Sequence, residues 1–502
     1  MRLAAQEAHS QLNASDLHGA HPTASEAPTF ELSGKSMNSD ATQSRTSELI
    51  AFLADVKFDV IPSSVVERAK ELVLDHLGVA LHSADLPWTR IVRSRVASRG
   101  GRPESTVFGS VQKSDRSYAA LVNGTAAHGI ELDDTHNRSF SHPGAVVISA
   151  ALAVAEAQGN SGSEFLNALI VGYEAQGRVG SAARGAVGRG VHPTAAAGVF
   201  GAAASCAHLM RMDPPKWESA FGLAASAASG VMQFAEDPQG NMVKRLHGGL
   251  PAMNGILMAE LAGSGFTGPR GSIDGRFGFM QVFGGGGDPR ALTDGLGDEW
   301  VVEQISIKLY ACCRHFHSII DALLTCRQQT PFSVEQVESI EVSAPAIALD
   351  GRLQYRPQSV MAAQYSLPYA VAATLLLDPR DPRSFSEKAA RRQDMTSLMD
   401  RISAHADPDL DKYLPDRFPG AVCVRLTDGR NIRYMRPDSL GTTDYPLDRA
   451  QMISKFRALT SHIGATDWQD KVIDSVFSLD VAGDLSRLTG LLREAAPALN
   501  CR

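Results

Sequence analysis

Ile130-Glu131-Leu132-Asp133-Asp134-Thr135-His136-Asn137-Arg138-Ser139-Phe140-Ser141-His142-Pro143-Gly144 runs directly into Ala145-Val146-Val147-Ile148-Ser149-Ala150-Ala151. The first fifteen residues carry three carboxylates, a threonine, two histidines and an arginine, a density of chemistry that reads as a site. The small apolar run that follows reads as a helix whose neighbours can approach closely. Proline is suited to the first helical residue, so His142 is expected beside exposed backbone N–H groups at the positive end of a helix dipole. His192-Pro193-Thr194 repeats the step fifty residues later. Helix starts of this kind accept carboxylate ligands.

Outward from this stretch, segments at roughly 116–129, 145–158, 162–183 and 194–210 are dominated by Ala, Gly, Ser and short apolar residues, and 216–233 and 246–262 continue the pattern. They predict a tightly packed helical core with little strand character. Upstream, Ser64-Val65-Val66-Glu67 has the form of a capping box before a helix with Val66, Ala69, Leu72, Val73, Leu77 and Leu81 on one side. Residues 1–45 are polar and aperiodic and are expected to be a disordered tail. After Gly265-Phe266-Thr267-Gly268-Pro269 the character changes, which places a domain boundary near 270. Alternation over Ile305-Ser306-Ile307-Lys308-Leu309-Tyr310 predicts a strand with Lys308 and Tyr310 turned away from the apolar face. A helix over about 312–327, a strand at 339–343, a helix near 366–377 and a hairpin from Val422 to Tyr434 turning at Asp428-Gly429 complete an α+β module. Helices resume at Asp448 and are expected to pack back on the first domain.

The 502 residues are too many for one ordinary core, and 44% hydrophobic with 21% charged residues is the balance of a globular protein. A net charge of -7 offers no general attraction for nucleic acid or an anionic membrane, so an anionic substrate needs locally placed cations. Six scattered cysteines without ligand spacing are expected to be reduced and mostly buried. The sequons at Asn123 and Asn137 carry little weight, because the N-terminus shows neither a secretory signal nor a convincing presequence. No apolar run is long enough for a membrane span. A cytoplasmic setting is expected.

Asp133, Asp134, His136 and His142 could hold a divalent metal, yet no helical HxxxH-type motif accompanies them. General acid–base work is the better reading, since a histidine beside an anion-binding helix end exchanges protons near neutral pH. The plain alternative is a helix cap with satisfied histidines. Lys244-Arg245-Leu246-His247 falls where a helix should begin; cations are mildly unfavourable there, so another partner is implied, either a substrate or a protein carboxylate. Lys308 is followed by Arg314, His315 and His317 on the next helix. The glycine-rich stretches lack the rest of a P-loop or Rossmann fingerprint, and there is no Gly-x-Ser-x-Gly elbow.

Together these residues resemble the MmgE/PrpD family, which includes 2-methylcitrate dehydratases, cis-aconitate decarboxylases and an iminodisuccinate epimerase. The resemblance runs from about Thr46 to Leu492. It rests on Glu131-Leu132-Asp133-Asp134-Thr135-His136 with His142-Pro143-Gly144, Gly190-Val191-His192-Pro193-Thr194, Lys244-Arg245-Leu246-His247-Gly248-Gly249, Gly265-Phe266-Thr267-Gly268-Pro269 and Lys308-Leu309-Tyr310-Ala311-Cys312-Cys313. It implies a mainly α-helical domain formed by both chain ends (46–270 and 446–502), a smaller α+β lid domain (271–445), a homodimer, and a cleft active site without cofactor or metal. Carried over by position, it makes His142 the proton donor or acceptor, with Thr135 and Glu131 near the substrate and His192, Lys244 and Lys308 as further active-site residues. Tyr355 matches a later tyrosine more loosely. Many relatives have aspartate at the position of Glu131, so its role is either kept with a shifted substrate or shared with Asp134.

The expected function is a lyase acting on a small di- or tricarboxylate by proton transfer next to a carboxylate, losing water or carbon dioxide. Lys244 and Lys308, with Arg245 or Arg314, would hold the carboxylates. The alternatives are an epimerase of an imino-diacid, a non-catalytic carboxylate-binding protein and a metallohydrolase.

Overall fold

The computed structural model describes residues 44–237 and 241–496. The tail expected over 1–45 lies outside the described residues except at its end, where the Arg45–Asp55 helix has already begun under a Ser44 side-chain cap. Small residues decide how the helical body packs. Along Pro143–Gln158 every residue from Pro143 to Ala155 is buried, because a helix of Ala, Val, Ile and Gly can be enclosed on all sides. Its neighbours are the helices Arg116–Ala127, Gly162–Ala182, Pro193–Leu209 and Val243–Gly263. Where Val243–Gly263 crosses Arg116–Ala127, a Cβ on Gly249 would stand 2.3 Å from the Leu121 carbonyl oxygen.

The Ser63–Ser83 helix buries the expected apolar face. Its expected capping box does not form. Pro62 occupies the N-cap, Ser64 bonds Glu303, and Glu67 pairs with Lys70 and Arg449, so both side chains of the expected box are taken by other partners. Against this helix lies Arg449–Thr460, with Phe456 3.3 Å from the position of a Gly78 Cβ. Phe456, Val472, Val476, Leu488 and Leu492 join the same apolar cluster as Leu49, Leu77 and Val147. The two ends of the chain therefore share one core, and the protein is mainly helical.

A second apolar cluster, built mainly from Tyr310 to Leu426 and joined by Val79, Ile130, Leu132 and Leu459, surrounds a four-stranded sheet. The strand order is Ile402–Ala406, Val337–Ala344, Gly420–Leu426, Asn431–Arg436. The first pair is parallel (Ile340 beside Ile402); the others are antiparallel, with Val342 beside Val422 and Val422 beside Tyr434. Helices His317–Gln329 and Leu367–Leu376 pack with it.

Residues 273–307 do not belong to this second cluster. Ile273, Phe279, Leu292, Trp300, Val302, Ile305 and Ile307 all enter the first, so the packing changes between Ile307 and Tyr310 and not near 270. Glycine makes this packing available: a Cβ on Gly177 would stand 2.6 Å from Val301 Cγ1. The strand expected over 305–310 is only two residues long, Ile305–Ser306, paired with Thr135–His136. Lys308 and Tyr310 are both buried; Tyr310 enters the second apolar cluster instead of turning away from an apolar face, while Lys308 meets the Glu131 carboxylate. The five described cysteines are free, and Cys501 lies outside the described residues. Among the described residues no helix is long and apolar enough to cross a membrane.

Candidate active site

His142 and His192 are the N-caps of Pro143–Gln158 and Pro193–Leu209, each with proline as the first helical residue. The two helix starts are tied together, because the His142 N–H donates to Thr194 Oγ1 at 3.1 Å. Asp134 secures the first of them: its carboxylate accepts from the Gly144 N–H at 2.9 Å and from the Tyr173 hydroxyl at 2.6 Å. Burial pushes the Asp134 carboxyl up to about 7, against both of those bonds.

Glu131 sits between, in a left-handed backbone conformation (φ 58°) that is uncommon for a residue with a side chain. Three cations hold it there. Lys244 and Arg245 bond Oε1, the latter at 2.8 Å, and Lys308 donates to Oε2 at 3.2 Å. All four side chains are within 2% of complete burial. Burial alone would raise the Glu131 carboxyl, but Lys244, Lys308 and Arg245 bring it well below the usual carboxylate range. One carboxylate cannot serve three cations fully. Burial, with repulsion from Lys308 and Arg245, pushes the Lys244 ammonium down to about 8, although Glu131 and Asp133 pull the other way. The two cations that open the Val243–Gly263 helix thus find a protein carboxylate as partner.

The imidazole of His142 is set by its Nδ1, 2.9 Å from the Asp134 carbonyl oxygen and 3.3 Å from Asp133 Oδ2. A carbonyl only accepts, so Nδ1 carries the proton and Nε2 keeps its lone pair. Burial holds the ring neutral, its acidity shifted well below the ordinary histidine range despite Asp133. Asp133 also takes a 2.6 Å hydrogen bond from His128 Nδ1. The His128 and His142 rings lie 5.0 Å apart, and His192 Nδ1 lies 2.9 Å from His247 Nδ1. His128, Asp133 and His142 bring ligand-type atoms within 4.8 Å of one another, the one such group among the described residues. Both histidine Nδ1 atoms are engaged in hydrogen bonds to oxygen, His128 with Asp133 and His142 with the Asp134 carbonyl, which fixes the orientation of each ring. Of the other residues weighed for a metal, His136 bonds Ser139 and Gln304, and Asp134 is taken up by Tyr173 and Gly144.

A cavity of about 540 Å³ opens in front of these groups. Its wall comes from both halves of the chain: Glu131, Thr135, His142 and His192 from the first, Lys308, Arg314 and Tyr365 from the second.

Two family models cover this architecture: the MmgE/PrpD N-terminal domain matches residues 47–292 and the MmgE/PrpD C-terminal domain matches 310–479. The chain belongs to the MmgE/PrpD family. It is 31% identical to a cis-aconitate decarboxylase-like protein of Aspergillus oryzae, over 89% of this chain and 97% of that one. It is 29% identical to a cis-aconitate decarboxylase of Aspergillus terreus, over 91% and 98%. The human cis-aconitate decarboxylase is 26% identical over 91% and 96%. The interval between the two MmgE/PrpD matches contains the point where packing passes from one cluster to the other.

Of the residues singled out by sequence in this MmgE/PrpD chain, Glu131, Thr135, His142, His192, Lys308 and Arg314 line the cavity. Lys244 and Arg245 reach it through Glu131; Lys244 also lies 5.3 Å from the Tyr365 ring centroid, and Arg245 bonds Gln364 at 2.6 Å. Two stand apart. The Asp134 carboxylate is spent on Gly144 and Tyr173 instead of facing the cavity, and Tyr355 donates to the Ile402 carbonyl at 3.0 Å outside the lining. His128, the partner of Asp133, was not recognised, since a lone histidine in Ala126-Ala127-His128-Gly129 carries no motif. Arg352, His315 and Tyr365 also line the cavity without having been assigned a role.

Proposed function

We propose that this protein is a lyase that acts on a small di- or tricarboxylate, by decarboxylation or dehydration, using its own side chains and no cofactor. The observation that carries this reading is the surplus of buried cations, three on one glutamate, beside a neutral imidazole at the wall of a cavity of substrate size. A buried surplus of positive charge favours an anionic ligand, because the anion restores the balance that Glu131 alone does not. The relatives named as cis-aconitate decarboxylases favour loss of carbon dioxide over loss of water.

In the decarboxylation, the bond between a carboxylate carbon and its neighbour breaks and carbon dioxide departs. The electron pair remains on the substrate carbon and spreads toward a carboxylate held by Lys308, and the charges of Lys244 and Arg245 behind Glu131 add to its stabilisation in a site of low dielectric. His142 Nε2, which carries a lone pair in the resting ring, first takes a proton from water as the anionic substrate binds and then gives it to the substrate carbon to complete the product; Asp133 at 3.3 Å supports the transient imidazolium, and the ring returns to neutral. In a dehydration the neutral ring takes a proton from the carbon next to a carboxylate and passes it to the departing hydroxyl, which leaves as water as the C–O bond breaks. Thr135 Oγ1 is buried without a hydrogen-bond partner among the described residues, and as a cavity-lining hydroxyl it is suited to orient the substrate.

The test is to incubate the purified full-length protein with cis-aconitate, 2-methylcitrate, citrate and an imino-diacid, and to follow each by NMR. The reading expects one of the first three to lose carbon dioxide or water. Proton exchange into a diacid with loss of neither group would overturn it, as would inertness toward all four.

A further inference from the structure

We infer that Arg314, His315 and Arg352 form a second carboxylate-binding subsite of this cavity, which takes an acidic end of the substrate that does not react. The inference rests on the polycarboxylate reading above and adds where the remote charge sits. Each of the three lines the cavity, and each has a buried nitrogen with no hydrogen-bond partner among the described residues: Arg314 Nη1, His315 Nδ1 and Arg352 Nε.

These nitrogens belong to side chains that are otherwise fixed. Arg314 is 7% exposed; its Nη2 donates to Asp438 at 2.6 Å, and its guanidinium carbon lies 5.4 Å from the Phe418 ring centroid. Arg352 donates through Nη1 to the carbonyls of Ile347 and Asp350, at 2.5 and 2.8 Å, and forms no ion pair among the described residues. His315, 9% exposed, packs on the same Phe418 at 4.6 Å between ring centroids. Burial keeps this imidazole neutral, and the charges of Arg352, Arg314 and Lys308 add to the effect.

An N–H group buried without an acceptor is destabilising unless a ligand supplies the acceptor. Two guanidinium groups that line one cavity, each fixed by other hydrogen bonds and each with an unpartnered N–H, are preorganised donors, and planar guanidinium geometry suits a carboxylate. Asp438 already balances Arg314, so the uncompensated charge is that of Arg352. Glu236 and Asp350 also line the cavity, but neither side chain is ion-paired to these arginines. Lys308 and Lys244 are tied to Glu131 in a separate group. Two cationic groups, distinct in the residues that build them, fit a substrate with at least two acidic ends.

The experiment compares wild type with Arg352→Gln and Arg352→Lys, chosen because Arg352 is only partly buried. For whichever tri- or dicarboxylate the wild type converts, Arg352→Gln is expected to raise KM about 10- to 100-fold with kcat within about threefold, the pattern of lost uniform binding. Arg352→Lys should recover part of the loss. The monomethyl ester that masks the remote carboxylate should be handled alike by wild type and Arg352→Gln. Isothermal titration with tricarballylate, a saturated tricarboxylate, reads binding independently of turnover. If wild type binds tricarballylate and Arg352→Gln binds it equally, the subsite is wrong while the polycarboxylate reading stands. If wild type neither binds tricarballylate nor converts any polycarboxylate, both readings fall.

Discussion

Glu131 shows what a single residue does here and how little of that is visible in its neighbours along the chain. Its three cations lie 113, 114 and 177 residues away, so the cluster exists only in the folded protein. Sequence offered the residue types and the motif order, which was enough to gather Thr135, His142, His192 and Lys308; it could not offer the pairing. The same limit hid His128, whose importance lies in its bond to Asp133. Replacing Glu131 with glutamine leaves three buried cations without a counter-charge, and should destabilise the fold by about 3–5 kcal/mol, measured by denaturant unfolding. A tricarboxylate ligand should return part of that loss. His142→Ala should fold normally and lower kcat by about 10²- to 10⁴-fold, the range for removal of a positioned acid or base. Full turnover in that variant would remove the assigned proton carrier.

Helices were legible where small residues recur, and irregular segments were not. The Pro143 and Pro193 helix starts fell where proline predicts, because the preference is local to one turn. The alternation over 305–310 misled, since only Ile305 and Ser306 find a partner strand and the chain then dives between two cores. The helix expected from 312 begins at His317, after an extended Cys313 whose N–H is taken by the Gln364 carbonyl at 2.9 Å. Close helix crossing is testable at Gly249, where a Cβ would also stand 2.5 Å from Thr125 Oγ1. Gly249→Ala should cost about 1–3 kcal/mol of stability through overpacking. Because the same helix carries Lys244 and Arg245, its KM should rise as well. An unchanged melting temperature would mean that the crossing tolerates a methyl group.

Across the molecule, two apolar clusters meet around a set of buried ionisable groups, and this makes stability depend on pH. Burial pushes His76, His136 and His247 each down to about 4. Between about 6.5 and 4 the unfolded chain therefore binds more protons than the folded one, so stability is full above this window and is lost as pH falls through it. Each such histidine contributes about 1.4 kcal/mol per pH unit inside the window. Asp134, raised to about 7, works in the opposite sense over part of the same range. His128, His142, His192, His315 and His317 are also lowered, so the histidines prevail. Melting temperature should fall continuously from pH 7 to pH 5; a flat profile would show that these rings are not held neutral.

The central claim is that a polycarboxylate completes the charge balance of the Lys244, Lys308, Arg245 and Glu131 cluster. Calorimetric titration of tricarballylate at pH 8, repeated in buffers of different ionisation enthalpy, tests it most directly. Lys244 lies near its midpoint at that pH, and an incoming anion should raise its proton affinity. The account predicts one ligand bound per chain with uptake of up to about half a proton, and loss of both binding and uptake in Lys308→Met. Binding with no proton uptake, and with equal affinity in Lys308→Met, would contradict it.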